Sequence, residues 1–192
     1  MTNLAIFASG AGSNAEKIIE YFKGNATVRV ALVVCNKPTA GVLKIAEKHE
    51  IKTILIEKEG FFSQNSCIEA LKAHQIDFIV LAGFLWKVPD ALVNAYRGKI
   101  VNIHPALLPK YGGKGMYGMR VHEAVISAGE TESGITIHHV NEHYDEGNII
   151  FQAKCSLEPG DTPEMLAQKV HALEHRYFPK VIADLVESKP QG

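Results

Sequence analysis

The order of apolar runs predicts an α/β protein: a Rossmann-like, doubly wound, mainly parallel sheet, with late antiparallel strands and a long C-terminal helix. Three observations carry that expectation. Short β-branched runs alternate with helix-length amphipathic segments through the first half of the chain. A glycine turn, Ser9-Gly10-Ala11-Gly12-Ser13-Asn14, joins the first apolar run to the first amphipathic segment. Two further strand-like runs follow one another late in the chain with no helical pattern between them.

Taken in order, residues 4–8 form the first strand, and the segment from Asn14 places Ala15, Ile18, Ile19 and Phe22 on one helical face. Strands are expected at 28–35, 53–56, 78–82 and 100–103, with helices at 42–49 and 66–74. Pro105 ends the fifth strand, and Pro105 and Pro109 bracket a short turn. Gly112, Gly113, Gly115 and Gly118 exclude a stable helix or strand there and predict a mobile loop. Strands at 134–140 and 148–154 are joined across 141–147, and the last helix spans 162–187 with Pro163 just inside its start. Pro179 is expected to kink that helix or end its first part.

With 46% apolar and 21% charged residues among 192, the composition is that of one globular domain, residues 1–192. Twenty Lys+Arg against 21 Asp+Glu give a net charge of −1, which argues against a broad surface for nucleic acid or anionic lipid. Any anion must be recognised locally. No apolar run reaches membrane-spanning length and no basic leader precedes the first strand. Cys35, Cys67 and Cys155 are far apart, as expected of reduced thiols in a cytoplasmic protein.

In open α/β sheets ligands gather at the carboxyl ends of the strands, so the strand-to-helix turns are where chemistry is expected. The glycine turn brings backbone N–H groups to the positive end of a helix, with Asn14 near its cap, as an anion site requires. The second strand ends in Val34-Cys35-Asn36-Lys37 and supplies no acid for a dinucleotide ribose, which favours a lone phosphate. Tight strand–helix packing is the plainer use of such glycines. In Asn102-Ile103-His104-Pro105 the amide and the imidazole project to one side of a strand end. An amide beside an imidazole suits a developing oxyanion and a proton transfer, although a lone His near a strand end is as often structural. The acidic stretch Asn141-Glu142-His143-Tyr144-Asp145 reads either as a solvated tip or as the source of a carboxylate for His104.

Two metal-like patterns carry less weight. His171-Ala172-Leu173-Glu174-His175 has the spacing of inverted zinc peptidases, but little sequence follows it to supply a distant third ligand. His138, His139 and His143 fall on opposite faces of a strand and its loop, and read as partly exposed histidines. No metal is expected.

With the glycine turn, the run Asn102-Ile103-His104-Pro105-Ala106-Leu107-Leu108-Pro109 and Tyr144-Asp145-Glu146-Gly147 in that order, the chain resembles the glycinamide ribonucleotide formyltransferases of purine synthesis, within the folate-dependent formyltransferase superfamily. The likeness runs end to end. It takes in Leu81-Ala82-Gly83-Phe84-Leu85, Ser133-Gly134-Ile135-Thr136-Ile137-His138 and Glu174-His175-Arg176-Tyr177-Phe178-Pro179. It implies transfer of a formyl group from 10-formyltetrahydrofolate, a co-substrate, to the amine of phosphoribosylglycinamide, by direct attack and a tetrahedral intermediate. Asn102 and a protonated His104 would hold the oxyanion, and Asp145 would raise the His104 pKa. Gly12, Ser13 and Asn14 would hold the ribose phosphate, and His171, Ala172, Leu173 and Glu174 the other end of the ribonucleotide. The folate would lie against Leu85, Trp86, Lys87, Val88, Asn102 and the stretch Asn141, Glu142, His143, Tyr144 and Asp145, meeting mainly backbone groups. Trp86 and Lys87 replace an Arg and an aliphatic residue of a well-known version, and near Lys58 no Arg is found, so Lys58 is a candidate substitute.

The partners implied are small molecules, without nucleic acid or membrane, for a monomer or homodimer. Competing expectations are a formyltetrahydrofolate hydrolase, which would carry an extra N-terminal domain, and a methionyl-tRNA formyltransferase, which would add a basic C-terminal one. A non-catalytic phosphate or nucleotide-binding module is the third, and it has no use for an oxyanion pair.

Overall fold

The structure, a computed structural model, describes residues 1–63 and 66–187. In chain order the elements are β1 (Thr2–Ala8), α1 (Ser13–Phe22), β2 (Val28–Cys35), α2 (Gly41–Lys48), β3 (Lys52–Leu55), α3 (Lys58–Ser63), α4 (Ser66–Ala73), β4 (Phe78–Leu81), α5 (Asp90–Ala95), β5 (Ile100–His104), α6 (Met119–Ser127), β6 (Glu132–His139), β7 (Ile149–Ser156) and α7 (Pro163–Glu187). The strands form one seven-stranded sheet in the order β3-β2-β1-β4-β5-β6-β7. Strands β1 to β5 run parallel, whereas β6 pairs antiparallel to β5 and β7 antiparallel to β6. That is the doubly wound sheet with late antiparallel strands that the alternation of patterns predicts.

Both faces of the central strands are covered, which explains why β1 reads as an unbroken apolar run. Leu4, Ile6 and Ala8 face a layer with Ile18, Phe22, Val170, Phe178 and Ile182, and Ala5 and Phe7 face the other with Leu71, Leu92 and Ile100. The sheet reverses direction between β1 and β4: β2 and β3 lie to one side, β4 and β5 to the other. A crevice opens at such a switch point, beyond the carboxyl ends of β1 and β4.

Helix α1 starts at Ser13, with Gly12 as its cap, so Asn14 lies inside the first turn and does not cap it. Gly12 is left-handed (φ 87°), and a Cβ there would meet Val42 at 2.8 Å, so the turn needs glycine for conformation and for close approach to α2. Helix α7 continues through Pro179 as one element. The missing N–H is offset by packing, because Phe178, Pro179, Val181, Ile182 and Ala183 are all buried against the sheet layer. Three helices fall outside the sequence expectations: α3 and α5 are short, and α6, although amphipathic with Val121 and Val125 buried, begins directly after the glycine-rich segment. The segment 105–118 itself holds neither helix nor strand. Among the described residues no helix is long and apolar enough to cross a membrane.

Candidate active site

The antiparallel addition of β6 to β5 builds the centre of the site. Asn102 pairs with His138 and His104 with Thr136, so the pleat puts these four side chains on one face at the strand ends. Thr136 secures the chain leaving His104. Its Oγ1 donates to the Ala106 carbonyl (2.7 Å) and accepts from the Leu108 N–H (3.0 Å) and from Gln152 Nε2 (2.9 Å). The turn after His104 is thereby tied to β6 and β7 before any ligand arrives.

His104 is 3% exposed. Its Nε2 donates to the Tyr111 carbonyl at 2.7 Å, and its Nδ1 faces Asp145 Oδ2 at 3.6 Å, beyond hydrogen-bond range. His138, 2% exposed, repeats the pattern: Nδ1 donates to its neighbour's carbonyl, His139 O, at 2.8 Å, and Nε2 lies 3.5 Å from Asp145 Oδ1. Asn102 Nδ2 lies 3.2 Å from the same His138 Nε2. One carboxylate thus sits between two imidazoles. Among the described residues, it takes a hydrogen bond of ordinary length only from the Gly113 N–H, at 2.9 Å.

Tyr111 and Asp145, which flank His104, both have left-handed backbones (φ 57° and 56°). For a tyrosine this conformation carries a cost of roughly 1 kcal/mol or more, and the surrounding hydrogen bonds hold it. Gly112, between Tyr111 and Gly113, is packed so closely that a Cβ would meet Leu108 Cδ2 at 2.5 Å and Asp145 Cβ at 3.3 Å.

Burial holds the His104 imidazolium below its ordinary pKa; Asp145 and the Tyr111 carbonyl pull upward and are outweighed. The expectation that Asp145 raises the His104 pKa is corrected in this respect: the pull has the predicted sign, but desolvation decides the net direction. For Asp145 burial acts to raise the carboxyl, but His138, His104 and the Gly113 N–H together hold it below the usual range. A carboxylate beside a neutral His104 ring is the resting arrangement these two directions describe.

These groups line a cleft of about 770 Å³ along the strand ends. At one end are Gly12, Ser13 and Asn14 of the glycine turn, with His171 and Glu174 of α7. Glu174, 5% exposed, accepts at Oε2 from Asn14 Nδ2 (2.9 Å) and from His171 Nδ1 (2.7 Å), and among the described residues none donates to Oε1. That hydrogen bond raises the His171 pKa. Lys37, Lys114 and Arg120 also line the cleft, and among the described residues none of the three forms an ion pair.

At the other end are Leu85, Trp86, Lys87 and Val88, with Asn141, His143, Tyr144 and Asp145 across from them. Phe84 and Trp86 line the cleft there, and behind them Phe61 packs on Phe84 with ring centroids 5.6 Å apart and Phe62 on Trp86 at 5.8 Å. The Leu85 N–H is already given to Ser9 Oγ at 2.9 Å, so it is not spare for a ligand.

The sequence candidates divide accordingly. Four stand apart from the cleft wall. Glu142 turns to Arg97 (2.6 Å), Ala172 is exposed, Leu173 packs against the core and Lys58 opens α3. His138 is corrected from a partly exposed histidine to a buried one, and the signal that finds it is its position opposite Asn102. His122 was missed with its helix. It is buried, lines the cleft, keeps an unpartnered Nδ1 and is held below its ordinary pKa by burial. His171 and His175 stack at 6.2 Å, and among the described residues no three His, Cys, Asp or Glu side chains converge as a metal would need.

Residues 2–182 match the family model described as formyl transferase. The chain is 40% identical to the chloroplastic phosphoribosylglycinamide formyltransferase of Arabidopsis thaliana, over 97% of this chain and 66% of that protein. It therefore spans just under two thirds of the plant relative's length. It is 38% identical to the phosphoribosylglycinamide formyltransferase of Bacillus subtilis, over 100% of this chain and 98% of that one. Among solved structures it superposes on the phosphoribosylglycinamide formyltransferase of Bacillus halodurans with a TM-score of 0.88 at 39% identity, covering 97% of this chain and 96% of that chain.

Proposed function

The chain belongs to the formyl transferase family, and from that premise we propose that it transfers a formyl group from 10-formyltetrahydrofolate to the amine of phosphoribosylglycinamide, a step of purine biosynthesis. The observation that carries this reading is the half-buried Asp145 between His104 and His138, with Asn102 beside them, in a cleft whose two ends differ in chemistry.

The ribonucleotide end is the one with the glycine turn. Backbone N–H groups of Gly12, Ser13 and Asn14 at the start of α1 receive the phosphate, and the unpaired Lys37, Lys114 and Arg120 add charge without making the surface basic. Glu174 Oε1 accepts from ribose hydroxyls. The folate lies at the other end, its planar rings against Leu85, Trp86 and Val88 and its polar edge toward Asn141 to Asp145. The fit rests on the Phe84 and Trp86 rings that line this end of the cleft.

Attack by the amine on the formyl carbon puts negative charge on the formyl oxygen and positive charge on the attacking nitrogen, which must lose a proton. Asn102 stabilises that oxygen. His104, neutral in the resting cleft, takes the proton at Nδ1, the nitrogen facing Asp145, and returns it to the folate nitrogen that leaves. The Asp145 carboxylate and the developing oxyanion offset the burial that otherwise keeps the ring neutral. No covalent link to the protein is needed, and the proton count closes.

The reading includes one domain over residues 1–192, small-molecule partners only, a monomer or homodimer and a cytoplasmic setting. Ultraviolet monitoring of folate deformylation tests it. Product that appears only with phosphoribosylglycinamide present is expected. Equal turnover without it makes the protein a hydrolase, and no turnover with either makes it a binding module.

A further inference from the structure

His138 has no part in the scheme above, yet its hydrogen bonds constrain the Asn102 amide. Its Nδ1 lies 2.8 Å from a backbone carbonyl, which only accepts, so Nδ1 carries a proton in every state. Nε2 has the Asn102 Nδ2 donor 3.2 Å away, so in this geometry it is the acceptor, with Asp145 Oδ1 also facing it at 3.5 Å. An amide that gives its nitrogen to the ring turns its carbonyl oxygen away from it. Asn102 lines the cleft, and an acceptor directed at a developing oxyanion repels it. The amide that stabilises charge is the one rotated by half a turn, with Nδ2 toward the substrate and Oδ1 toward His138. That orientation requires a proton on His138 Nε2, and Asp145 Oδ1 is in place to balance the resulting charge.

Resting on the reading that Asn102 stabilises the formyl oxyanion, we propose that His138 is a positioning residue, whose Nε2 proton, held between Asp145 and Asn102, sets which end of the Asn102 amide meets the reacting oxygen. Protonation of His138 and rotation of the amide form one step. Asp145 thus serves both rings, His104 through Oδ2 and His138 through Oδ1.

The test compares His138→Ala with His138→Gln in the full-length chain. Glutamine places an N–H at the same number of bonds from Cβ as Nε2 and donates to Asn102 Oδ1 without titrating. His138→Ala is expected to lower kcat by about tenfold to a hundredfold with both KM values within about twofold, and His138→Gln to restore kcat to within about fivefold. Near wild-type kcat in the alanine variant overturns the proposal, as does a glutamine variant that melts like wild type but is as slow as the alanine one. The second readout does not depend on activity. The 15N–1H signals of the Asn102 side-chain amide, identified by their loss in Asn102→Ala, are followed from about pH 8 to about pH 5.5, across the histidine range. The other titrating groups facing His138 are His104 on β5, Asp145 in the β6–β7 connection and His139 on its own strand. They act in both proteins, so the difference between wild type and His138→Gln isolates His138. A larger shift in wild type is expected, and equal shifts overturn the proposal even if wild-type turnover shows the formyl-transfer reading to be wrong.

Discussion

Two carboxylates line the cleft, Glu174 buried and Asp145 half-buried, and they meet their partners in different ways. Glu174 projects from the regular helix α7 and accepts two hydrogen bonds of ordinary length, from Asn14 and His171. Asp145 sits in an irregular connection with a left-handed backbone, takes one such bond from Gly113, and faces two imidazoles at 3.5 and 3.6 Å. A carboxylate whose partners are already docked holds a shape, which is what binding a ribose needs. A carboxylate whose partners stand just beyond bonding distance gains most when one of them acquires a proton, which is what a reaction needs. Glu174, with its two bonds already made, therefore marks the affinity end of the cleft, and Asp145, with two partners just out of range, marks the rate end.

Asn102→Ala strikes the rate end directly and is expected to have the largest effect, a loss of kcat on the order of a hundredfold or more at nearly unchanged KM. Near wild-type turnover would remove the distinction between the two ends. Gly112→Ala reaches the same end through packing, because the new Cβ presses on Leu108 and on Asp145. A kcat loss of about tenfold is expected from displacing the carboxylate, with ribonucleotide affinity retained; a purely KM effect in steady-state kinetics would mean that the segment serves binding instead.

The smallest effect is on stability. Burial holds His104, His122, His139 and His175 below their ordinary pKa, so the unfolded chain takes up more protons than the folded one as the solution is acidified. The stability they contribute is present above the ordinary histidine pKa of about 6.5 and is lost as pH falls below it. His171, raised by Glu174, acts with the opposite sign. Differential scanning calorimetry should therefore show Tm falling between about pH 7.5 and about pH 5, and His122→Leu should flatten that fall. A Tm that rises on acidification would mean that His171 outweighs the buried rings.

Most of this architecture was legible in the sequence because the central strands are buried on both faces and so spell continuous apolar runs, as in β1 and β2. Asn102 and His104 were legible for a local reason: alternation along one strand puts them on one side. What stayed hidden depends on pairing across the chain. His138 becomes part of the site only through its register with Asn102, and 36 residues separate the two. His122 was lost with α6, whose start is masked by the glycines before it. The net pKa direction of His104 was misjudged because a sequence names its charged neighbour but not the depth of burial that outweighs it. Glu142 lies in the right stretch yet turns to Arg97, a choice that only the packed loop reveals.

Steady-state kinetics of Asp145→Asn and Glu174→Gln, measured side by side with both substrates varied, test the division of labour most directly. Asp145→Asn is expected to lower kcat by some tens of fold with KM for the ribonucleotide within about twofold, and Glu174→Gln to raise that KM about tenfold with kcat within about threefold. If both variants change the same parameter, the two carboxylates do not divide rate from affinity, and the contrast drawn between the two ends of the cleft is contradicted.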